Sequence, residues 1–190
     1  MNKAIFFDRD GILIKDTHHL ISKEEIIFAE NLIESFNLLK NSDFIFFIIT
    51  NQAVVARGLA SEIEVKKVNQ YIVDYIKEKT GCEIRKVYYC PHHQNANLAE
   101  YRTDCECRKP KPGMLLRASQ EFNINLSESY MIGDRISDIV AGSKAGCKTI
   151  LLETGAHLAK PIESDAMDLS VKADYIFDDL KSAINIIING

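Results

Sequence analysis

Two carboxylates stand two residues apart in Phe7-Asp8-Arg9-Asp10-Gly11, directly after the apolar run Ala4-Ile5-Phe6-Phe7. In extended backbone an i, i+2 pair lies roughly 6.6 Å apart along the chain and points to one side. A turn at Gly11 would bring both toward one centre. Two ionised carboxylates that close repel each other, so a cation is expected between them. Mg²⁺ suits oxygen ligands and accepts phosphate oxygens as co-ligands. One carboxylate can then act as a nucleophile and form an acyl-phosphate. The other can protonate the leaving oxygen and later act as base on water. By themselves these residues also read as a solvated acidic loop, so the other motifs have to decide.

Three further motifs bear on that choice. Ile49-Thr50-Asn51-Gln52 ends a second apolar run, where a hydroxyl and exposed N–H groups can bind phosphate oxygens. Thr-Asn is also ordinary turn chemistry. Arg108-Lys109-Pro110-Lys111-Pro112-Gly113 is a basic cluster whose prolines fix the loop, and it can offset a phosphate dianion. Its plain alternative is a solvated basic loop. Ile132-Gly133-Asp134-Arg135-Ile136-Ser137-Asp138 allows a tight turn at Gly133 and supplies a further oxygen ligand in Asp134. Asp138 reads equally as a second acid near the site or as a helix cap.

Three of the five cysteines fall between Cys90 and Cys107. Cys90-Pro91-His92 and Cys105-Glu106-Cys107 give C-x-H followed by C-x-C. Three thiolates and one imidazole make a closed tetrahedral Zn²⁺ site, which suits structure rather than catalysis. His93 is an alternative ligand to His92, and reduced free thiols are the alternative to metal. Cys82 and Cys147 read as buried thiols. The loop ends at Arg108-Lys109, so ordering it would aim the basic cluster at the site.

The elements that must position these motifs follow from the apolar pattern. Short apolar runs at 4–7, 44–49, 86–89, 130–132 and 148–152 suit strands buried on both faces. Helical spacing appears in Leu32, Phe36 and Leu39, and again in Val65, Val68, Ile72 and Ile76 after a Ser61–Glu64 capping box. Further helices are expected after Pro112-Gly113, at about Asp138 and from Leu180 to Ile188. Alternating strands and helices mean an α/β fold, a doubly wound, Rossmann-like parallel sheet. Ligands in such sheets bind beyond the carboxyl ends of the strands, where these motifs lie.

With 190 residues, one domain spanning 1–190 is expected, with the zinc-binding loop at about 90–108. A net charge of −4 excludes a strongly basic protein that binds nucleic acid by bulk charge. No apolar run reaches ~18 residues, so no membrane span is expected. The first residues do not read as a signal peptide, and a cytoplasmic monomer is the expected state.

Taken together, Asp8-Arg9-Asp10-Gly11, Thr50, Lys109 and Gly133-Asp134 resemble the four motifs of the haloacid dehalogenase (HAD) superfamily of phosphohydrolases. The resemblance spans nearly the whole chain. It implies Asp8 as nucleophile, Asp10 as general acid/base, and Thr50 and Lys109 as stabilisers of the transferring phosphoryl group. It also implies Mg²⁺ held by Asp8, the Asp10 main-chain carbonyl and Asp134. Ala56-Arg57-Gly58, the Cys90-Pro91-His92-His93 run and Cys107 to Met114 are similar to the heptose-bisphosphate phosphatase family within that superfamily. That family has a minimal cap and removes the C7 phosphate of a heptose 1,7-bisphosphate in the supply of nucleotide-activated heptose for bacterial surface glycans such as lipopolysaccharide. Carried over residue by residue, it implies substrate contacts at Asp16, Thr17, His18, His19, Thr50, Asn51, Gln52, Ala53, Arg108, Lys109 and Arg135. Arg57 is a further candidate. The implied zinc ligands are Cys90, His92, Cys105 and Cys107.

The sequence departs from that pattern at Ile12, Ala53-Val54, Arg135 and His18-His19, all bordering the substrate. Histidinol phosphate is the alternative substrate, because its phosphatases share the acidic motifs and a similar zinc loop. A catalytically silent, zinc-organised binding protein is the alternative of another class. The intact Asp8, Asp10, Lys109 and Asp134 argue against it.

Overall fold

In the computed structural model, residues 1–17, 20, 22–154 and 170–189 are described. Six strands form one parallel sheet: β1 (Lys3–Phe7), β2 (Phe44–Asn51), β3 (Ile84–Cys90), β4 (Tyr130–Gly133), β5 (Lys148–Leu152) and β6 (Tyr175–Phe177). Their spatial order is β3-β2-β1-β4-β5-β6. The order reverses between β1 and β4, which opens a crevice at their carboxyl ends. Asp8 follows β1 and Asp134 follows β4, so both acidic motifs meet at that crevice.

The strand sequences show why the sheet is buried on both faces. Ile5, Phe7, Phe46, Ile48, Ile132 and Ile150 point to one side, against α1 (Leu32–Leu39), α2 (Glu62–Thr80) and α5 (Leu180–Asn189). Ala4, Phe6, Phe47, Ile49 and Met131 point to the other, against α3 (Gly113–Phe122) and α4 (Ile136–Ala145). Period-two alternation thus divides one apolar run between two cores. Burying each large apolar side chain contributes roughly 1.5–3 kcal/mol. Phe7 stacks obliquely on Phe36 and Phe46, so the strand leading to Asp8 is packed rigidly.

The Ser61–Glu64 capping box is present and starts α2. Three expectations change in detail. A sixth strand, β6, joins the sheet edge. Helix α3 begins at Gly113 itself, and α4 begins at Ile136 rather than Asp138, with Asp138 in its first turn. Among the described residues, no helix is long and apolar enough to cross a membrane.

Candidate active site

Two glycines leave room for the acidic side chains to close on one centre. Gly11 takes φ +84°, and a Cβ there would lie 1.9 Å from Asp134 Oδ2. A Cβ on Gly133 would lie 2.3 Å from the Asp138 side chain. Any larger residue at either place would push a carboxylate out of the site.

Asp8, Asp134 and Asp138 are all buried, and each offers an oxygen within 4.8 Å of the others'. Lys109 reaches them from the basic loop. Its Nζ stands 2.9 Å from Asp8 Oδ1 and 2.6 Å from Asp138 Oδ1, and donates to the Ile49 carbonyl at 2.8 Å. Burial would lower the Lys109 pKa, but the Asp138 and Asp8 charges outweigh it and hold the ammonium above its usual range. Asp138 does both things the sequence left open. Its Oδ2 accepts the Arg135 N–H at 3.0 Å in the first turn of α4, while Oδ1 pairs with Lys109.

Three carboxylates against one ammonium leave two negative charges to compensate. The consequence is visible at Asp8 and Asp134. Burial first, with the neighbouring carboxylates, pushes Asp8 up to about 7 despite Lys109. The same causes push Asp134 up to about 8. Asp134 Oδ1 is buried without a hydrogen-bond partner among the described residues. An oxygen-rich site whose buried carboxylates resist ionisation beside one another, and which holds an orphaned carboxylate oxygen, fits a hard divalent cation such as Mg²⁺. Asp8, Asp134 and the Asp10 main-chain carbonyl would hold it.

Asp10 stands apart from that cluster. Arg9 grips its carboxylate through Nη2 at 2.9 Å and Nε at 3.2 Å, and Gln52 Nε2 donates to Oδ2 at 2.8 Å. The Asp10 side chain keeps 23% exposure, against 7% for Asp8, so it faces the open side of the crevice. The sequence reading assigned Arg9 no role. Its guanidinium is nonetheless buried, and it also binds Asn69 Oδ1 and Gln52 Oε1, each at 2.9 Å.

The other expected substrate residues divide between the network and the rim. Thr50 is buried at the end of β2 and accepts from Gln52 Nε2 at 2.8 Å. Asn51 spends both ends of its amide on the Lys109 backbone. Ala53 is partly exposed just beyond them. Arg135 and Asp16 form an ion pair at 2.6 Å that ties the loop after β1 to the start of α4, with Thr17 exposed beside it. His18 and His19 lie outside the described residues. Arg108 donates from Nη1 to the His92 carbonyl at 3.3 Å.

That carbonyl belongs to the cysteine loop. Cys90, His92, Cys105 and Cys107 converge, with Sγ–Sγ distances of 2.9 to 3.3 Å and His92 Nδ1 at 3.5 Å from Cys107 Sγ. Hydrogen bonding with the Cys90 thiol first, and with Cys105 and His92, pulls Cys107 down to about 5. The bond to Cys107, together with burial, pushes Cys90 up. Three sulfurs and a ring nitrogen fit a tetrahedral zinc ion. His93 is placed elsewhere: its Nδ1 accepts the Asn95 N–H at 3.0 Å. The loop docks on the segment before α2, where Leu98 N–H donates to the Ala56 carbonyl, and on the start of α2, where Tyr101 Oη donates to Glu62.

Comparison with known proteins agrees with this fold. Residues 106–183 match the HAD-hydrolase-like family model. The chain is 38% identical over 181 residues to the D-glycero-beta-D-manno-heptose-1,7-bisphosphate 7-phosphatase of Pasteurella multocida, covering 95% of this chain and 94% of the relative. It is 34% identical to an alpha-anomer counterpart from Photorhabdus laumondii, over 85% and 88%. A crystal structure of D,D-heptose 1,7-bisphosphate phosphatase from B. bronchiseptica, complexed with magnesium and phosphate, shares the fold with a TM-score of 0.80 at 24% identity, over 98% of both chains. The chain therefore belongs to the D-glycero-D-manno-heptose-1,7-bisphosphate 7-phosphatase family of HAD-like hydrolases.

Proposed function

We propose that this protein hydrolyses the C7 phosphate of D-glycero-D-manno-heptose 1,7-bisphosphate through an aspartyl-phosphate. The observation that carries the reading is the convergence of Asp8, Lys109 and Asp134 at the sheet's reversal point in a chain of this family. Asp8 Oδ attacks phosphorus in line, and the bond from phosphorus to the C7 oxygen breaks. Asp10 gives its proton to that oxygen, and the heptose 1-phosphate leaves. Asp10, now a carboxylate, takes a proton from water as the water attacks phosphorus, releasing phosphate and restoring Asp8. Lys109 and the Thr50 hydroxyl meet the charge that builds on the equatorial oxygens. Bound Mg²⁺ would supply charge neutralisation to the phosphoryl group and restore Asp8 to its ionised, nucleophilic form.

The zinc ion, held by Cys90, His92, Cys105 and Cys107, would be structural. It would order the loop whose His92 carbonyl orients Arg108, and Arg108 would bind the C1 phosphate that is not cleaved, since a guanidinium suits bidentate contact. Arg135, held by Asp16, and the rim at Thr17 and Ala53 would contact the sugar. The same reading places the reaction in the cytoplasmic supply of nucleotide-activated heptose.

The test is phosphate release with Mg²⁺ from both anomers of the bisphosphate, beside histidinol phosphate, using wild type and Asp8→Asn. Release from a heptose anomer that disappears in the variant is the expected result and assigns the anomer. Preference for histidinol phosphate would keep the chemistry and overturn the substrate.

A further inference from the structure

Asn69 is a polar residue where the helix needs an apolar one. It lies on the face of α2 that buries Val65, Val68, Ile72 and Ile76, and is itself 4% exposed. Its Nδ2 has no hydrogen-bond partner among the described residues. A buried orphan donor destabilises a fold, so its retention calls for an explanation. The other half of the amide supplies one: Asn69 Oδ1 accepts from Arg9 Nη1 at 2.9 Å. Arg9 in turn holds both carboxylate oxygens of Asp10, and Gln52 braces the two of them.

We propose that Asn69 is a positioning residue that, through Arg9, aims the Asp10 carboxyl at the leaving-group oxygen. Arg9 is the immediate sequence neighbour of Asp10, so backbone alone does not determine how their side chains face each other. The anchor has to come from another element. Asn69, on a helix packed into the main core, fixes one end of the planar guanidinium, and the fork at the other end fixes the carboxylate plane. This inference rests on the assignment of Asp10 as general acid.

The role has a signature that simple stability lacks. An alkyl phosphate needs a proton on its departing oxygen, whereas an aryl phosphate such as p-nitrophenyl phosphate releases a stable phenolate without one. kcat/KM reports the steps up to departure of the alcohol, so it isolates acid catalysis from the later hydrolysis of the aspartyl-phosphate. Asp10→Asn is the reference and should lose about 10²-fold or more in kcat/KM on the heptose bisphosphate, far beyond its loss on p-nitrophenyl phosphate. Asn69→Leu should lose about tenfold on the bisphosphate and change p-nitrophenyl phosphate by less than about threefold, even though Tm falls because Arg9 Nη1 loses its acceptor. Asn69→Asp, which keeps the accepting oxygen, should recover most of the bisphosphate activity. Asn69→Ala provides the same reading if the leucine does not fit.

Equal losses on both substrates in Asn69→Leu or Asn69→Ala, or no loss on either, would overturn the proposal while a discriminating Asp10→Asn leaves the acid assignment standing. An Asp10→Asn variant that treats both substrates alike would instead remove the acid assignment itself.

Discussion

Asn51 holds the backbone of Lys109 from both directions. The Lys109 N–H donates to Asn51 Oδ1 at 3.1 Å, and Asn51 Nδ2 donates to the Lys109 carbonyl at 2.9 Å. The two residues are 58 apart in sequence, on the end of β2 and in the basic loop. This pair joins the second motif to the third, and the ammonium between Asp8 and Asp138 depends on it.

A side chain engaged in this way positions the lysine rather than the substrate. Asn51→Ala should therefore lower kcat by about 10²-fold with a much smaller change in KM, since a misplacement of about 1 Å costs that much. Asn51→Asp keeps the acceptor, loses the donor and should fall between the two. Steady-state kinetics on the bisphosphate check this. A rise in KM with kcat unchanged would make Asn51 a substrate contact instead.

Lys109 is the ammonium shared by Asp8 and Asp138. Removing one partner of a buried ionic cluster typically costs about 3–5 kcal/mol, because the remaining charges stay desolvated. In metal-free protein, Lys109→Met should lose stability of that order as well as activity. Adding Asp138→Asn should return part of the stability and none of the activity. Urea unfolding of the single and double variants measures the first, phosphate release the second.

The sequence shows the site's chemistry more plainly than its scaffolding. Asp8, Thr50 and Asp134 are legible because each sits where an apolar run stops, and a parallel sheet gathers such ends on one side. The cluster of Cys90, His92, Cys105 and Cys107 is legible because C-x-H and C-x-C are unusual spacings for free thiols. Arg9 is not, since an arginine between two acids reads as surface charge. Its burial depends on Gln52 and Asn69, 43 and 60 residues away. Asn69 did leave a trace, a polar residue on the 65-68-72-76 stripe of α2. The three residues of β6 leave none: Tyr175 and Ile176 are exposed, and the strand is too short to show a period.

One carboxylate far from the crevice should set part of the acid stability. Glu121 on α3 accepts from Lys86 and Tyr88 on β3 and from Arg117 one turn back, and these hydrogen bonds pull it down to about 2. A carboxylate whose folded pKa lies below its unfolded value, about 4.3, contributes stability above that value and loses it as pH falls toward 2. The Tm difference between wild type and Glu121→Gln should be full at pH 6 and close by pH 2. Added salt should shrink it at pH 6, because the cluster is exposed.

The His92 carbonyl that accepts from Arg108 belongs to one of the four residues of the Cys/His cluster, so on the proposed reading a metal there and the uncleaved phosphate would be linked through one hydrogen bond. Arg108→Ala should raise KM for the bisphosphate by about 10-fold or more, the loss of a charge-assisted contact, and leave KM for a heptose 7-phosphate nearly unchanged. Removing zinc, verified by metal analysis, should reproduce that pattern, because the loop that aims the guanidinium loses its anchor while the sheet keeps its far-ultraviolet dichroism. Cys105→Ser should behave like the stripped protein. If Arg108→Ala affects both substrates equally, Arg108 serves the scissile phosphate instead. If zinc removal leaves the bisphosphate KM where it was, the loop orders itself without metal.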